Sequence, residues 1–326
     1  MASGFTPVIH GAALDRPDEQ DTVITAGAVA DSLKRLGYRS EIVVLDPSLA
    51  ALPQLATRRP LVVFNLVEAL GGDGALASVA LAAMDRLGLT PTGAGADAYA
   101  SSGSKLTAKA RLAACAIPTP ACWPRGEAIP AGATVIVKSV DEHGSLGMDG
   151  GCIVPGERAA AEIRAREARF GGRFFAEQYI AGREFNAALI ETPAGIRVLP
   201  LQEIDFSELP ADCPPIVDYA AKWDPAAGSY HLTPRRFGLE RREPRLAREL
   251  ARIARAAWRA FGLAGYARVD FRLAGDGTPY VLEVNANPCL APDAGFMAAA
   301  AEASHSYDDI IARIVRAAIP AARKAA

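Results

Sequence analysis

Residues 266–293 constrain the fold of this chain more than any other stretch. On both sides of Asp276-Gly277, polar residues alternate with apolar ones, and this period of two predicts two half-buried strands. An Asp-Gly pair between such strands indicates a two-residue hairpin turn, because both central positions of the favoured turn require positive φ. The stretch therefore predicts an antiparallel hairpin centred on Asp276-Gly277.

The register of this hairpin places possible metal ligands on one face. Asp270 falls opposite Glu283, and Arg268 falls opposite Asn285. Carboxylates that face each other across an antiparallel pair repel, and a hard cation such as Mg²⁺, which binds carboxylate and amide oxygens, would relieve that repulsion. A solvated polar face is the common alternative. Because the face ends where Pro288 ends the strand, a metal-binding strand end is the better interpretation.

Length and composition narrow the class of protein. A chain of 326 residues exceeds one hydrophobic core, so two or three subdomains are expected. The 35 basic and 37 acidic residues give a net charge of −2, which offers no electrostatic footprint for nucleic acid. No signal peptide is evident and no apolar run is long enough to span a membrane. Five scattered cysteines without a C-x-x-C pair fit a reduced, cytoplasmic protein rather than a zinc site.

The first hundred residues alternate between strand and helix patterns. Strands are predicted at 6–9, 41–45 and 61–64, helices at 22–36 and 75–87, and a polar loop at 15–21. This alternation predicts an open α/β layer with parallel strands. A G-x-G-x-x-A run at 93–98 hints weakly at a dinucleotide fold, but no acidic residue follows at the spacing that a ribose requires, so a nicotinamide cofactor is disfavoured.

The middle of the chain combines lysines with a glycine-rich loop. A helix predicted at 104–116 carries Lys105 and Lys109 on one face, and a predicted strand ends at Lys138, just before the loop 141–151. A lysine at a strand end followed by such a loop can hold phosphates through its charge and the exposed backbone N–H groups. An ordinary hairpin loop is the alternative. The length and glycine content of the loop favour a mobile lid over a ligand.

The remaining patterns predict an antiparallel sheet covered by helices. Strands are predicted at 174–179, 183–190 and 197–202, and helices at 244–261 and 307–318. The proline-rich segment 205–234 is too long for a mere connector, so a role in covering a substrate is expected.

Taken in order, these motifs resemble the ATP-grasp superfamily, and within it the D-alanine–D-alanine ligase type. The matching positions are Lys105, Lys138, the loop 144–151, the run 177–180, Glu184, Lys222, Arg268, Asp270, Glu283 and Asn285. The resemblance covers nearly the whole chain and is strongest from Glu177 onward. It implies a mixed α/β and α+β ATP-grasp fold, in which an N-terminal parallel α/β subdomain (1–100) precedes two α+β subdomains (101–178 and 179–326) that clamp ATP.

The resemblance also implies a role for each matching residue. The nucleotide-binding positions are Lys105 and Lys138 at the phosphates, Glu142 and Ser145 in the covering segment 142–147, Glu177 with the backbone of Tyr179 and Ile180 at adenine, Glu184 at the ribose, and Leu282. Lys222 would reach the γ-phosphate, and Arg268 with the backbone N–H of Cys289 would form an oxyanion hole. Asp270, Glu283 and Asn285 would hold two Mg²⁺ ions, or Mn²⁺ in their place.

Such a site would join a small-molecule carboxylate to an amine. The carboxylate attacks the γ-phosphate of ATP to give an acylphosphate, and the amine then displaces the phosphate. ADP and phosphate are the other products. As in related ligases, the apolar face of the first subdomain could pair two chains as a homodimer.

The positions expected to bind amino acids depart from the family pattern. Residues 10–23 lack the G-G-x-S-x-E segment of the family, with Glu19 as the candidate replacement for its glutamate. Gly144 replaces a serine, Trp223 replaces a tyrosine, and residues 286–295 contain no serine for the second carboxylate. A missing polar partner in a buried pocket changes substrate choice by large factors. We therefore expect a ligase whose substrates are other than D-alanine.

Two alternatives remain open at this point. One is a genuine D-alanine–D-alanine ligase with a rearranged amino-acid pocket, and the other is a catalytically inactive ATP-binding sensor. The presence of Lys222 and Arg268 disfavours a sensor, which needs no oxyanion hole. Candidates for binding an amino group of another substrate are Asp18, Glu19, Asp21 and Asp293.

Overall fold

The computed structural model of the chain describes residues 4–12, 17–142, 144–224 and 226–319, with 17–19 as backbone only. Its first layer is a parallel sheet of β1 (Val8–Gly11), β2 (Ile42–Leu45) and β3 (Phe64–Asn65) in the order β2-β1-β3. The helices of this layer are α1 (Pro17–Arg35), α2 (Ala51–Thr57), α3 (Leu76–Arg86) and α4 (Ala96–Gly103). The predicted parallel α/β layer is confirmed.

Several predicted boundaries in this layer are wrong: the strands predicted at 6–9 and 61–64 lie at Val8–Gly11 and Phe64–Asn65. Within the described residues, the segment 17–21, predicted as part of a polar loop, is already helical, because α1 begins at Pro17. Proline suits the first turn of a helix, since its fixed φ is helical and its missing N–H has no partner there in any case.

The second sheet is antiparallel, in the order β4-β7-β5-β6. Its strands are β4 (Cys122–Trp123), β5 (Thr134–Ser139), β6 (Ile153–Pro155) and β7 (Phe174–Gln178), preceded by α5 (Lys105–Ala114) and covered by α6 (Ala159–Phe170). Val135 and Val137 of β5 pack with Ile163 of α6 in a small separate core. Alternation along β5 therefore turns Ile136 and Lys138 to the opposite face.

The third sheet runs β11-β10-β8-β12-β13, with β9 paired to β8. Its strands are β8 (Gly182–Thr192), β9 (Gly195–Val198), β10 (Gln202–Ile204), β11 (Arg235–Arg236), β12 (Tyr266–Ala274) and β13 (Pro279–Asn285). The helices of this part are α7 (Tyr219–Trp223), α8 (Gly228–His231), α9 (Leu239–Arg242), α10 (Pro244–Phe261), α11 (Gly295–Glu302) and α12 (Tyr307–Ala318). The predicted bounds of the helices at 244–261 and 307–318 are confirmed.

The strand predicted at 197–202 is wrong as a single element. β9 pairs with the C-terminal part of β8, and β10 pairs with its N-terminal part. Pro200 lies between them, and proline cannot donate a ladder hydrogen bond, so the two strands are separate. The segment 205–234 is not structureless, because it contains α7 and α8.

Helix α10 shows why one face of the third sheet is left for function. Pro244 starts it, and Gly262, with φ at +61°, ends it. Its buried residues include Leu250, Ile253 and Ala257, which recur at helical spacing and form an apolar stripe. This stripe shares a core with the odd-numbered residues of β8 and β12, such as Phe185 and Phe271. Successive side chains of a strand point to opposite faces, so even-numbered residues lie on the other face.

The hairpin register is as predicted, but its turn is not. Asp270 pairs with Glu283. Ala274 donates its N–H to the Thr278 carbonyl at 2.9 Å, so the loop has three residues, 275–277, instead of two. A β-bulge between Asp270 and Phe271 leaves Leu282 without a partner and shifts the register back by one. The two irregularities cancel, which is why centring on a two-residue turn gave the right partners.

The turn offers a matched pair of glycines for a stability prediction. Gly277 has φ at +85°, and Gly275 lies outside the left-handed region with open space around it. We expect Gly277→Ala to lower the free energy of unfolding by about 1–2 kcal/mol, because a side chain in the left-handed region clashes with its own carbonyl. Gly275→Ala should not destabilise. Urea unfolding of both variants checks this, and equal losses would contradict the three-residue turn.

The predicted division at residues 100 and 178 stays a prediction. Its second boundary lies between β7 and β8, and its first lies inside α4. Every helix in the described ranges is too short or too polar to cross a lipid bilayer.

Candidate active site

A cleft of about 820 Å³, partly open to solvent, lies between the second and third sheets. Its walls contain the predicted residues Lys105, Lys138, Glu142, Ser145, Glu177, Tyr179, Ile180, Glu184, Lys222, Asp270, Leu282 and Glu283. The fold thus brings together every site residue predicted from the sequence except Arg268, Asn285 and Cys289.

The three remaining predicted residues lie next to this cleft. Arg268 binds Asp270 at the cleft wall. Asn285 lines a second cleft of about 780 Å³, which also contains Glu68 and Asn287. Cys289 lies in the loop that connects β13 of the third sheet to α11.

A buried charge cluster closes one end of the first cleft. The Glu177 carboxylate accepts from Lys138 Nζ at 2.7 Å and also contacts Lys109 Nζ, which donates to Thr119 Oγ1 at 3.0 Å. Burial alone would raise the pKa of Glu177, but the two lysines outweigh burial and hold this pKa below its usual value. Burial lowers the pKa of Lys109. The sequence predicts Lys109 beside Lys105 on one face of a helix, but it does not identify Glu177 as the partner of Lys109.

The glycine-rich loop is fastened to the segment 205–234. Trp223 Nε1 donates to the Gly144 carbonyl at 2.8 Å, and Ser145 Oγ donates to the Val217 carbonyl at 2.9 Å. These bonds close the loop over the cleft. Val217 and Lys222, from the segment 205–234, also line the cleft. His143, in the predicted lid, lies outside the described residues.

Helix α7 positions Lys222 in the cleft. The Asp218 carboxylate caps the helix by accepting the Ala221 N–H at 2.8 Å. Burial lowers the pKa of Lys222, and Arg268 lowers it further against the opposing charges of Glu283 and Asp270. Lys105, on the opposite wall, donates to the Glu142 carbonyl, and burial also lowers its pKa.

The metal-ligand candidates share one face of the hairpin. Asp270 accepts from Arg268 Nε at 2.8 Å and Nη2 at 2.9 Å, and from Asn186 Nδ2 at 2.7 Å. An ionised carboxylate has about four lone-pair sites, so one of those on Asp270 stays available. Burial would lower the pKa of Arg268, but the Asp270 charge raises it above its usual value.

The donor set therefore fits a hard cation that keeps other ligands. In the part of the chain that the structure describes, no three His, Cys, Asp or Glu side chains meet as an all-protein metal site. Two carboxylates and one amide, from Asp270, Glu283 and Asn285, are present instead. Mg²⁺ is usually bound by one or two carboxylates plus phosphates and water, which is compatible with this set.

The loop that contains Cys289 is tied to the N-terminal layer. Cys289 Sγ donates to Asp21 Oδ2 at 2.8 Å. Burial raises the pKa of Asp21, and Asp293 raises it further, while the thiol hydrogen bond opposes both. Two of the acids predicted near a substrate thus lie together here. The side chains of Asp18 and Glu19 lie outside the described residues.

Arg272 is a cleft residue that sequence reasoning did not select. It donates to the Gly182 carbonyl at 2.7 Å and to the Pro215 carbonyl, and it pairs with Glu184 Oε2 at 3.1 Å. It therefore links β12 to the segment 205–234. The alternation that identified Asp270 placed Arg272 on the same face, so the signal for it was present.

Comparisons with known proteins identify the family of the chain. The family model described as D-ala D-ala ligase C-terminus matches residues 128–316. A D-alanine–D-alanine ligase of Anaeromyxobacter dehalogenans is 30% identical, covering 92% of this chain and 93% of its own length. The one of Gloeobacter violaceus is also 30% identical, covering 92% of this chain and 95% of its own length.

Solved structures support the fold. The Bacillus anthracis D-alanine–D-alanine ligase complexed with ATP superimposes with a TM-score of 0.74 over 99% of this chain and 100% of its own, at 18% identity. D-alanyl-alanine synthetase A from Vibrio cholerae gives a TM-score of 0.71 over 98% of this chain and 99% of its own, at 16% identity. The chain belongs to the D-alanine–D-alanine ligase family of the ATP-grasp superfamily and is an ATP-dependent ligase that forms a C–N bond.

Proposed function

We propose that this ligase joins a small carboxylate to an amine through an acylphosphate, with substrates other than D-alanine. The observation that carries the proposal is a contrast within one site. The nucleotide-side residues converge on a single cleft. The neighbouring amino-acid positions hold Gly144, Trp223 and the serine-free run 286–295, and the Trp223 indole is engaged with the Gly144 backbone.

Charge in the cleft suits phosphoryl transfer. Lys105, Lys138 and Lys222 approach from two sides and would hold the phosphates of ATP while negative charge moves to the leaving group. Glu184 would bind the ribose, and Glu177, with the backbone of the run 178–180, would contact adenine. Closure of the loop over the cleft would keep water from the acylphosphate.

The residues Asp270, Glu283 and Asn285 would hold magnesium, with manganese as an alternative. Bound there, the metal would neutralise phosphate charge and orient the transferred group. Arg268 and the backbone N–H of Cys289 would stabilise the oxyanion that forms when the amine attacks. The bidentate contact with Asp270 keeps the Arg268 guanidinium in place for this role.

The second cleft is the proposed location of the carboxylate substrate. Tyr266 donates to Asn287 Oδ1, which orients the amide, and Asn287 Nδ2 is buried with no hydrogen-bond partner among the described residues. A buried N–H donor of this kind is costly unless a ligand accepts from it. Asn285, itself a proposed metal ligand, lines the same cleft and so links it to the other two proposed ligands, Asp270 and Glu283.

A genuine D-alanine–D-alanine ligase is the alternative, because the similar proteins of Anaeromyxobacter dehalogenans and Gloeobacter violaceus are D-alanine–D-alanine ligases. To decide, phosphate release from ATP is measured with each amino acid in both enantiomers, with hydroxylamine added to trap the acylphosphate as a hydroxamate. The proposal expects D-alanine alone to be a poor substrate and another acid to give hydroxamate. Fastest turnover with D-alanine alone would support the alternative, and no hydroxamate with any acid would contradict both.

The pH dependence of the reaction tests the proposed role of Lys222. A deprotonated lysine cannot hold a phosphate, and the buried Lys222 loses its proton at lower pH than an ordinary lysine. We expect kcat/KM for ATP, which reports the free enzyme, to fall as the pH is raised. The midpoint of this fall should lie below the ordinary pKa of a lysine side chain. In Lys222→Arg this alkaline limb should move to higher pH, because a guanidinium stays protonated. The exposed Lys34→Arg is the control, and an unchanged limb in Lys222→Arg would assign it to another group, such as Lys105.

The homodimer and the cytoplasmic location stay predictions. Ile42 and Val44 are exposed on β2, an edge strand of the first sheet. Light scattering of the purified chain would test whether two copies associate.

A further inference from the structure

Arg272 carries a buried charge in the first cleft that the proposed mechanism does not use. Its side chain is 5% exposed and lies on β12, two residues after Asp270 and on the same face of the strand. It is part of the cleft wall. A buried charge is costly unless it is paired and hydrogen-bonded. The groups that compensate the Arg272 charge therefore indicate its role.

One nitrogen of Arg272 contacts two different parts of the cleft. Nη2 donates to the Pro215 carbonyl, in the segment 205–234, and pairs with Glu184 Oε2 at 3.1 Å. Nη1 donates to the Gly182 carbonyl at 2.7 Å, at the first residue of the strand that carries Glu184. The same guanidinium thus joins the proposed ribose ligand to the segment that covers the cleft.

Arg272 also holds both ends of the stretch 206–215. Its Cζ lies 5.2 Å from the centre of the Phe206 ring, within the range of a cation–π contact, and the Pro215 carbonyl is at the other end of the stretch. Residues 215–223, which follow directly, are called the roof here, because Ile216, Val217 and Lys222 line the cleft. Arg272 therefore fixes the point at which the chain enters the roof.

The opposite side of the roof is attached to the glycine-rich loop. The Tyr219 N–H donates to the Met148 carbonyl at 3.1 Å, and Ser145 donates to Val217 as described above. Ile216 packs with buried Cys152 in a small apolar cluster. The roof is accordingly fastened on two sides, to the loop by these contacts and to the face of β8 and β12 by Arg272.

The position of the Glu184 carboxylate depends on Arg272 as well. The Glu184 side chain is 14% exposed, so water compensates little of its charge. Burial lowers the pKa of Lys222, and the charge of Glu184 is one of those that oppose this effect, so Lys222 is a second cation within its reach. Without Arg272 the carboxylate would turn toward Lys222 and away from the ribose. With Arg272 it stays in place, and its other lone pairs remain for ribose hydroxyls.

We propose that Arg272 is a positioning residue that couples recognition of the ribose to closure of the roof. Because one nitrogen holds both the Glu184 carboxylate and the Pro215 carbonyl, a ribose-bound Glu184 and a closed roof favour each other. The inference rests on the proposed function, in which Glu184 binds the ribose hydroxyls. It gives Arg272 a part in selecting ribonucleotides over deoxyribonucleotides.

The first measurement uses nucleotide binding, which requires neither the acid nor the amine. Dissociation constants are measured by titration calorimetry for ADP, 2′-deoxy-ADP and 3′-deoxy-ADP in the presence of magnesium. In the wild type, loss of one hydroxyl should weaken binding about 10- to 100-fold, the value of a hydrogen bond to a charged group. In Arg272→Met, which keeps an apolar stem but no donor, this ratio should shrink to about threefold or less.

The second measurement is backbone hydrogen exchange in the roof. Saturating ADP should slow exchange of residues 216–223 in the wild type, and it should slow exchange less in Arg272→Met. Arg183→Met is the matched control. Arg183 precedes Glu184 in β8, faces the other side of the sheet and pairs with Glu203 and Glu243. This variant should keep both the hydroxyl ratio and the slowing of exchange.

A conservative variant separates positioning from packing. Arg272→Lys keeps a positive charge beside Glu184 but lacks the planar fork, so it should restore part of the hydroxyl ratio. It also carries the test if Arg272→Met does not fold.

Three outcomes would contradict the inference. A wild-type ratio in both Arg272 variants would overturn the role of Arg272 and leave the proposed function intact, and a reduced ratio with unchanged exchange in the roof would overturn the coupling. If the wild type bound all three nucleotides equally, Glu184 would not be the ribose ligand, and that part of the proposed function would fall together with this inference. Absence of hydroxamate in the acid screen would contradict the proposed chemistry without changing the result of these binding measurements.

Discussion

Replacing Arg268 by alanine is expected to lower kcat about 100- to 1,000-fold, which is the usual loss when one oxyanion donor is removed. The guanidinium lies on the same face of the β12–β13 hairpin as the proposed metal ligands and is held by two hydrogen bonds to Asp270. In the proposed mechanism, its charge is needed most after the amine has attacked, when the carbonyl oxygen is negative. The ground-state substrates gain less from it, so the loss should fall on kcat rather than on KM for ATP.

Steady-state kinetics of three variants check this expectation. Arg268→Lys keeps a positive charge but loses the bidentate contact, so it should recover only part of kcat. Arg252→Ala removes a surface pair with Glu249 on α10 and should leave both constants unchanged. A loss in Arg268→Ala smaller than about tenfold would exclude Arg268 from the oxyanion hole.

Replacing Glu177 by glutamine is expected to destabilise the fold by about 3–5 kcal/mol, because it leaves buried cations without their anion. Glu177 and Lys109 side chains are 1% and 3% exposed, so water cannot replace the lost charge. Lys138, the other partner, is 11% exposed. The midpoint of urea unfolding should therefore move to much lower denaturant concentration.

A second variant separates the buried charge from simple loss of packing. In the double variant Glu177→Gln with Lys109→Met, one of the uncompensated cations is gone, and much of the stability should return. Glu249→Gln, at an exposed pair on α10, is the control and should leave the midpoint unchanged. If the double variant were less stable than Glu177→Gln alone, the cluster would not be held by charge.

The same cluster predicts a pH dependence of stability. The folded state holds the pKa of Glu177 below its usual value because Lys109 and Lys138 outweigh the effect of burial. Its contribution is therefore complete above the pKa of the unfolded state, and it is lost as pH falls through the lower folded value. Glu177→Gln should lack this acid-dependent part of the stability curve.

Much of the local structure was readable from periodicity. The bounds of α10 and α12 follow from apolar spacing and flanking residues, and the pairing of Asp270 with Glu283 follows from alternation in the hairpin. These patterns are local, since they depend on neighbours within one or two turns of helix or strand. The proposed nucleotide-binding residues were selected because their order along the chain resembles a family, not because the sequence placed them in space.

What the sequence determined by itself is the long elements, such as α10, α12, β8 and the β12–β13 hairpin, and the face on which their polar residues lie. The tertiary structure decided which faces meet: Lys109 with Glu177, Trp223 with Gly144, and Arg235 with the loop before α11. Each of these contacts joins segments that are distant in the chain, and no periodic pattern encodes a distant partner. The sequence did not predict the three-residue turn or the bulge at Leu282, because the two irregularities shift the register in opposite directions and cancel. Only the backbone hydrogen bonds of the structure distinguish this arrangement from a regular hairpin with a two-residue turn.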